Sequence, residues 1–318
     1  MDQNRSLQAN AQRIVVKVGS STLTRKGQIR PRKLGEIARA VCQLVDSGRE
    51  IVLVSSGAVA IGSHRLGWTK PGESIRQKQA AAAVGQIGLS EVYRKRFREQ
   101  QREVAQVLLT RGGLENRERF LNARHTLLEL LRLGVVPIVN ENDTVATEEI
   151  RFGDNDQLAV SFAALVGASH LFFLTSAPGL LVREQQTDGS FEDAVLPKVK
   201  QVNQELLQHC QRPGTNVGRG GMESKVRAAG KSISFGINAY ITAGKEPNTV
   251  LKILDGAQVG THFVAHGAKL RGYRQWLAAG ALSQGELHVD SGAEQALRVH
   301  KKSLLLSGVC EVQGNFSA

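Results

Sequence analysis

The chain has 318 residues, with 41 Lys plus Arg against 29 Asp plus Glu and a formal net charge of +12; 41% of its residues are hydrophobic and 22% charged. That apolar content sets it apart from disordered chains and supports a large core, in one α/β domain with or without a small appendage. No uncharged apolar run reaches the ~18 residues of a membrane span, and Met1–Ala11 lacks the apolar stretch of a signal peptide.

In chain order, Arg13–Val18 (RIVVKV) reads as a strand, followed by Gly19-Ser20-Ser21 and a helix from Pro31 to Ser47. Pro31 near the start and Gly48 just past the end match the usual asymmetry of helix termini. Ile51–Val54 is the next strand, broken by Ser55-Ser56-Gly57. Further strands are predicted at Val104–Leu109, Val135–Val139, His170–Leu174 and Asn238–Thr242. Helices are predicted at Ile75–Gln100, Arg117–Leu133, Asp156–Val166, Met222–Phe235 and Asn248–Leu254. Continuous apolar strands separated by helices imply a mostly parallel sheet covered on both faces. Val182–Asp193 is polar and reads as a solvent-exposed connection. Near Gly280 the pattern changes: Glu286–Asp290, a short helix at Ser291–Val299, and then Ser303–Val312 suggest the start of a small second module. The domain division is therefore 1–280 and 281–318. The cysteines Cys42, Cys210 and Cys310 are widely spaced and form no CxxC pair, which suits reduced thiols in a cytosolic protein.

Ligands of open parallel sheets bind beyond the carboxyl ends of the strands, and four strand-end segments carry chemistry. Lys17 lies inside a strand, where its ammonium needs a polar partner, and Gly19 and Ser20 follow it. Ser55-Ser56-Gly57-Ala58 opens a helix whose free N–H groups favour an anion. Asn140-Glu141-Asn142-Asp143 and Gly153-Asp154-Asn155-Asp156 cluster carboxylates and amides suited to an amino group, to ordering lysines, or to magnesium. Gly218-Arg219-Gly220-Gly221-Met222-Glu223-Ser224-Lys225 is a glycine-rich turn entering a helix, with a lysine one turn in. It is not a Walker A motif, and HRD and DFG are absent. Cations, an anion cradle and carboxylates to hold the cations are what phosphoryl transfer requires.

Val15–Thr24 (VVKVGSSTLT), Leu53–Gly62 (LVSSGAVAIG), Leu114–Leu128, Pro137–Ala159 and Gly220–Ala229 (GGMESKVRAA) closely resemble the glutamate 5-kinase family, over about Arg13–Ala265. The tail from Gly285 to Phe316 resembles the first part of a PUA domain, cut short. The resemblance implies an amino-acid-kinase fold, a three-layer sandwich around a mostly parallel sheet. It also implies transfer of the ATP γ-phosphoryl group, with Mg2+, to the side-chain carboxylate of L-glutamate in the cytoplasm. That is the first step of proline biosynthesis, with proline as feedback inhibitor and a homo-oligomeric enzyme.

By motif position, Lys17 and Lys225 would stabilise the phosphoryl group and Asp156 would orient both lysines. Ser56, Asp143 and Asn155 would bind glutamate with Asp154 close by. Gly19 and Ser20 would line the phosphate path, while Thr175, Ser176 and the loop Arg219, Gly220, Gly221, Met222, Glu223, Ser224, Lys225 would contact ATP. No resident metal site is implied. Two positions depart from the family pattern: Ser176 stands where it usually has Asp, and Arg219 where it usually has Thr.

Two alternatives compete. Another amino acid kinase, acting on acetylglutamate, carbamate or a nucleotide, is disfavoured by the Pro137–Ala159 run. An RNA-binding role rests on the net charge, the tail and Arg94-Lys95-Arg96 with Arg98 and Arg102. Glu91, Glu99 and Glu103 are interspersed there, so a solvated helix face is the better reading and nucleic acid is not the expected partner.

Overall fold

The computed structural model describes residues 13–70, 72–145, 155–185, 191–210, 221–246, 248–265, 274, 276–277 and 285–314. The elements in chain order are β1 (Arg13–Val18), α1 (Ser20–Leu23), β2 (Thr24–Arg25), β3 (Gln28–Ile29), α2 (Pro31–Asp46), β4 (Glu50–Ser55), α3 (Ala58–Arg65) and α4 (Ile75–Arg98). After these come β5 (Val104–Leu109), α5 (Arg111–Glu115), α6 (Arg117–Arg132), β6 (Val136–Glu141), a 3-10 turn at Asp143–Val145, α7 (Asn155–Val166) and β7 (His170–Thr175). The chain continues through β8 (Leu181–Gln185), β9 (Phe191–Val195), β10 (Lys198–Val199), α8 (Gln204–His209), α9 (Met222–Ser234), β11 (Asn238–Ala243), α10 (Thr249–Leu254) and β12 (Thr261–Phe263).

Among the described residues, eight strands form one sheet in the order β10-β12-β11-β7-β1-β4-β6-β5. The pairings among β11, β7, β1, β4, β6 and β5 are all parallel, so their carboxyl ends meet along one rim. β12 pairs antiparallel with β11, and β10, parallel to β12, runs the same way as β12. Side chains alternate along β1 with the strand period of two. Ile14, Val16 and Val18 join a core with α2, α4 and α10, while Val15 joins the opposite core with α6, α7 and α9. Lys17 shares the parity of Val15, which directs it toward α7 and α9.

Backbone contact between α3 and α4 is set by glycines. A Cβ on Gly62 would lie 1.7 Å from the Ala81 carbonyl oxygen, and one on Gly85 1.9 Å from that of Ala58. The start of α3, and with it the β4–α3 turn, is thereby clamped to α4. At its own start α4 carries a capping box, with the Ser74 hydroxyl accepting from Gln77 N–H and the Gln77 side chain accepting from Ser74 N–H.

One expectation is corrected, and several short elements add to the rest. Val182–Asp193 is not a plain connection: β8 and β9 pair antiparallel, from Leu181 opposite Val195 to Gln185 opposite Phe191. Cross-strand backbone pairing forms this hairpin although its strands are polar, and polarity concealed it. The stretch Ser303–Val312 splits into a 3-10 turn at Leu306–Gly308 and β14 (Val309–Gly314). The short elements α1, β2, β3, α5, α8 and β12 carry too few residues to show a period and were not anticipated.

Contacts divide the chain into two compact units, 1–280 and 281–318. In the second, β13 (Gly285–Val289) pairs antiparallel with β14, and Asp290 caps α11 (Ser291–Arg298) by accepting from Ala293 N–H at 2.7 Å. No described helix is long and apolar enough to cross a membrane.

Candidate active site

At the carboxyl rim, Lys17 from β1, Asp156 from the first turn of α7 and Lys225 from the first turn of α9 converge. Lys17 Nζ lies 2.7 Å from Asp156 Oδ1, and Lys225 Nζ donates to Asp156 Oδ2 at 3.1 Å. Ser224 Oγ donates to the same Oδ2 at 3.3 Å. The side chains of Lys17, Asp156 and Lys225 are only 7%, 2% and 6% exposed. Burial by itself would raise the Asp156 pKa, but the two ammonium groups prevail and hold it below the ordinary aspartate value. One carboxylate thus positions two cations, and the trio keeps a formal charge of +1.

Asn155, next in sequence to Asp156, joins this trio to a second cluster. Its Nδ2 donates toward Ser55 O and Ser56 Oγ, each at 2.9 Å, and toward Asn140 Oδ1 at 3.0 Å. The amide hydrogens of Asn155 are thus spent within the protein and are not offered to a substrate carboxylate. Its Oδ1 meets no donor among the described residues. The donors available to a ligand carboxylate are instead the Ser56 hydroxyl and the N–H groups opening α3. Gly57, at φ +110°, makes the sharp turn into that helix, and no side chain caps it.

Asp143 sits half-buried in the turn after β6, and no cation among the described residues pairs with it. Burial pushes its pKa up to about 6. A desolvated carboxylate without a cation is a receptor for an ammonium group.

The remaining expected residues lie along the same rim. Gly19 N–H donates to Leu174 O at 3.4 Å, and a Cβ there would stand 3.9 Å from Lys17 Nζ, so the lysine end is close to bare backbone. Ser20 is exposed at the start of α1. Thr175 is buried at the end of β7, and Ser176 just beyond it is exposed. Gly221 is the N-cap of α9 without a side-chain cap, which leaves the first N–H groups of a 13-residue helix for an anion. Met222 and Glu223 fill its first turn, where Glu223 accepts from Arg227 Nε at 2.9 Å. Asp154, Arg219 and Gly220 lie outside the described residues.

Away from the rim, the basic stretch of α4 is laced with carboxylates. Arg96 pairs with Glu99 at 2.8 Å, Arg98 approaches Glu103 at 3.6 Å, and Arg102 pairs with Asp46. Sequence reasoning missed Gln86, which accepts from Asn140 Nδ2 at 2.8 Å. The available signal was Gly85 and Gly88 beside it, since glycines inside a helix mark close approach.

A mostly parallel sheet with buried lysines and an uncapped helix start along its carboxyl rim defines an α/β protein built to hold a transferring anionic group. Residues 12–243 match the pattern of the amino acid kinase family. A glutamate 5-kinase from Burkholderia multivorans is 43% identical over 314 residues, which cover 98% of this chain and 84% of that protein; the same figures hold for one from Burkholderia vietnamiensis. This chain belongs to the amino acid kinase family, within its glutamate 5-kinase branch. Among solved structures, the carbamate kinase from Giardia lamblia bound to AMP-PNP superposes with a TM-score of 0.57 at 14% identity, over 81% of this chain and 100% of that one. The UMP kinase from Bacillus anthracis gives 0.54 at 16% identity, over 81% and 97%. At such identities these two structures speak for the fold alone.

Proposed function

We infer that this chain phosphorylates the side-chain carboxylate of glutamate at the expense of ATP, giving glutamyl 5-phosphate, the first step of proline biosynthesis. The observation that carries the reading is the buried Lys17–Asp156–Lys225 trio at the end of the central strand. A glutamate carboxylate, with an ordinary pKa of about 4.3, is already ionised at neutral pH. It needs no general base, which fits a site built of cations rather than histidines. The carboxylate oxygen attacks the γ-phosphorus, the bond from that phosphorus to the β,γ-bridging oxygen breaks, and ADP leaves with the electron pair. Lys17 and Lys225, preorganised by Asp156, offset the charge on the phosphoryl oxygens in flight. The uncapped start of α9 and bare Gly19 cradle the nucleotide phosphates, beside Ser20, Thr175, Ser176 and Ser224.

Asp143 receives the substrate ammonium, Asn155 Oδ1 accepts from the same group, and Ser56 donates to a carboxylate oxygen. This polarity selects a free amino acid over its acetylated form. Mg2+ would arrive with ATP and neutralise phosphate charge. Asp156 is committed to two lysines, and among the described residues no three His, Cys, Asp or Glu side chains group together, so phosphate oxygens would be the ion's main ligands. The three free cysteines suit a cytoplasmic setting. Feedback inhibition by proline and homo-oligomeric assembly belong to the same proposal and rest on the family likeness.

The test is ADP release with glutamate, acetylglutamate or aspartate, with hydroxylamine present to trap an acyl phosphate. Glutamate alone should yield the hydroxamate. Equal ADP release with acetylglutamate would overturn the assignment of Asp143 and of the substrate.

A further inference from the structure

The polarity of the Asn155 amide can be followed outward through four more side chains. A backbone carbonyl only accepts, so the Asn155 atom 2.9 Å from Ser55 O is the amide nitrogen. The Asn140 atom facing that nitrogen at 3.0 Å is therefore Oδ1, and Asn140 Nδ2 points the other way, to Gln86 Oε1 at 2.8 Å. Gln86 Nε2 in turn donates to Ser90 Oγ at 3.3 Å, and the Ser90 hydroxyl reaches Gln106 Oε1 at 2.5 Å and the Gln86 carbonyl at 2.8 Å. Each link from Asn155 to Ser90 on α4 donates outward, and the one Ser90 hydrogen is shared between Gln106 Oε1 on the sheet-edge strand β5 and the Gln86 carbonyl. Such a one-way chain polarises itself, each bond strengthening the next.

We propose that Gln86 is a positioning residue for the amino acid substrate, fixing Asn140 so that its Oδ1 helps hold Asn155 in place with the Asn155 Oδ1 toward the ligand. The proposal rests on the reading of Asn155 and Ser56 as substrate contacts. Asn140 is 2% exposed, so no solvent replaces a lost acceptor for its Nδ2. Without Gln86 Oε1 that amide carries an unsatisfied buried donor, so Asn140 shifts to relieve it and its Oδ1 draws off Asn155. Asn155 is then held by the Ser55 carbonyl and Ser56 alone. No member of the lysine trio is touched, so the loss falls on amino acid binding rather than on ATP or on turnover.

The experiment compares Gln86→Met and Gln86→Glu in the full chain by steady-state kinetics and thermal melting. Methionine fills similar space and cannot accept from Asn140, whereas glutamate retains the acceptor. Gln86→Met should raise the glutamate KM by roughly 5–10-fold, the worth of one net hydrogen bond, with ATP KM and kcat nearly unchanged. Gln86→Glu should restore the glutamate KM to near the wild-type value. Gln86→Ala gives a second side chain without an acceptor, should Met fail to pack. Absence of glutamate-dependent ADP release by the wild-type chain would sink the reading of the reaction. Its presence, with a glutamate KM unmoved in Gln86→Met or Gln86→Ala, would sink the relay alone. Parallel rises in both KM values with a lowered melt in every variant would show Gln86 to be structural and overturn the proposal equally.

Discussion

Replacing Lys225 by alanine separates a lysine that acts on the phosphoryl group from one that merely fills the interior. In the native site Asp156 is shared, with Lys17 at 2.7 Å and Lys225 at 3.1 Å. Removing one member of a buried ion pair ordinarily costs about 3–5 kcal/mol, because it strands the other charge. Here Asp156 is not stranded, since Lys17 remains as its partner. The stability loss should therefore approach that of a single charged hydrogen bond, about 1.5–3 kcal/mol. The kinetic loss has a different origin. A preorganised group aimed at developing negative charge contributes about 10²–10³-fold to kcat. We expect Lys225→Ala to lower kcat at least about 10²-fold, with the glutamate KM little changed and the melting temperature only modestly reduced. Coupled ADP-release kinetics beside a thermal melt reads both quantities. Near-normal kcat in a folded Lys225→Ala protein would refute the reasoning, whatever the melt shows.

Below pH about 6, protonation of Asp143 should weaken amino acid binding. Its raised pKa means that the carboxylate forms only above that pH, so the glutamate KM should climb as pH falls through it while the ATP KM stays flat. Asp143→Asn should raise the glutamate KM at neutral pH and abolish this dependence; a profile unchanged by the substitution would remove Asp143 from the site. Gly85→Ala places a Cβ 1.9 Å from the Ala58 carbonyl and should destabilise by roughly 1–3 kcal/mol or more, displacing the Ser56–Gly57 turn; a normal melt with normal glutamate KM would show that α3 yields freely. A chain ending at Ala279 should keep its glutamate-dependent turnover, because every residue assigned to the site lies in the 1–280 unit. Loss of turnover in such a chain that still melts cooperatively would contradict this.

Much of the scaffold was legible because its long elements are periodic. RIVVKV reads as β1 with the observed bounds Arg13–Val18, and Pro31 and Gly48 mark α2 to within a residue. Lys17 is legible because a charge within an apolar strand must meet a partner, and its parity with Val15 decides which helices supply it. The identity of that partner, Asp156, and its sharing with Lys225 came from motif likeness, since no local pattern encodes a contact across 69 residues. Polarity proved harder to read than position. Asn155 lies beside Asp156, yet its donors face inward because Ser55 O and Asn140 Oδ1 meet them, and that depends on β4, β6 and α7 coming together. Gln86 looks like any solvated glutamine on a helix, and only the close approach forced by Gly62 and Gly85 brings it to the end of β6.

The electrostatics of the trio explain why its members are buried at all. Two ammonium groups and one carboxylate taken out of water carry a large desolvation penalty, and mutual pairing offsets only part of it. A fully neutral pair would lie closer to balance but would attract an anion weakly. The third charge leaves a residual +1 in surroundings where a charge acts more strongly than in water. An incoming phosphoryl group meets cations that have already lost their water and their freedom, so little reorganisation remains to be done as charge develops. Asp156 is the element that makes this tolerable: without it Lys17 and Lys225 would face each other across the rim, and repulsion would drive them apart. On that argument Asp156→Ala should be more damaging to the fold than either lysine substitution, even though Asp156 itself need never touch the group being transferred.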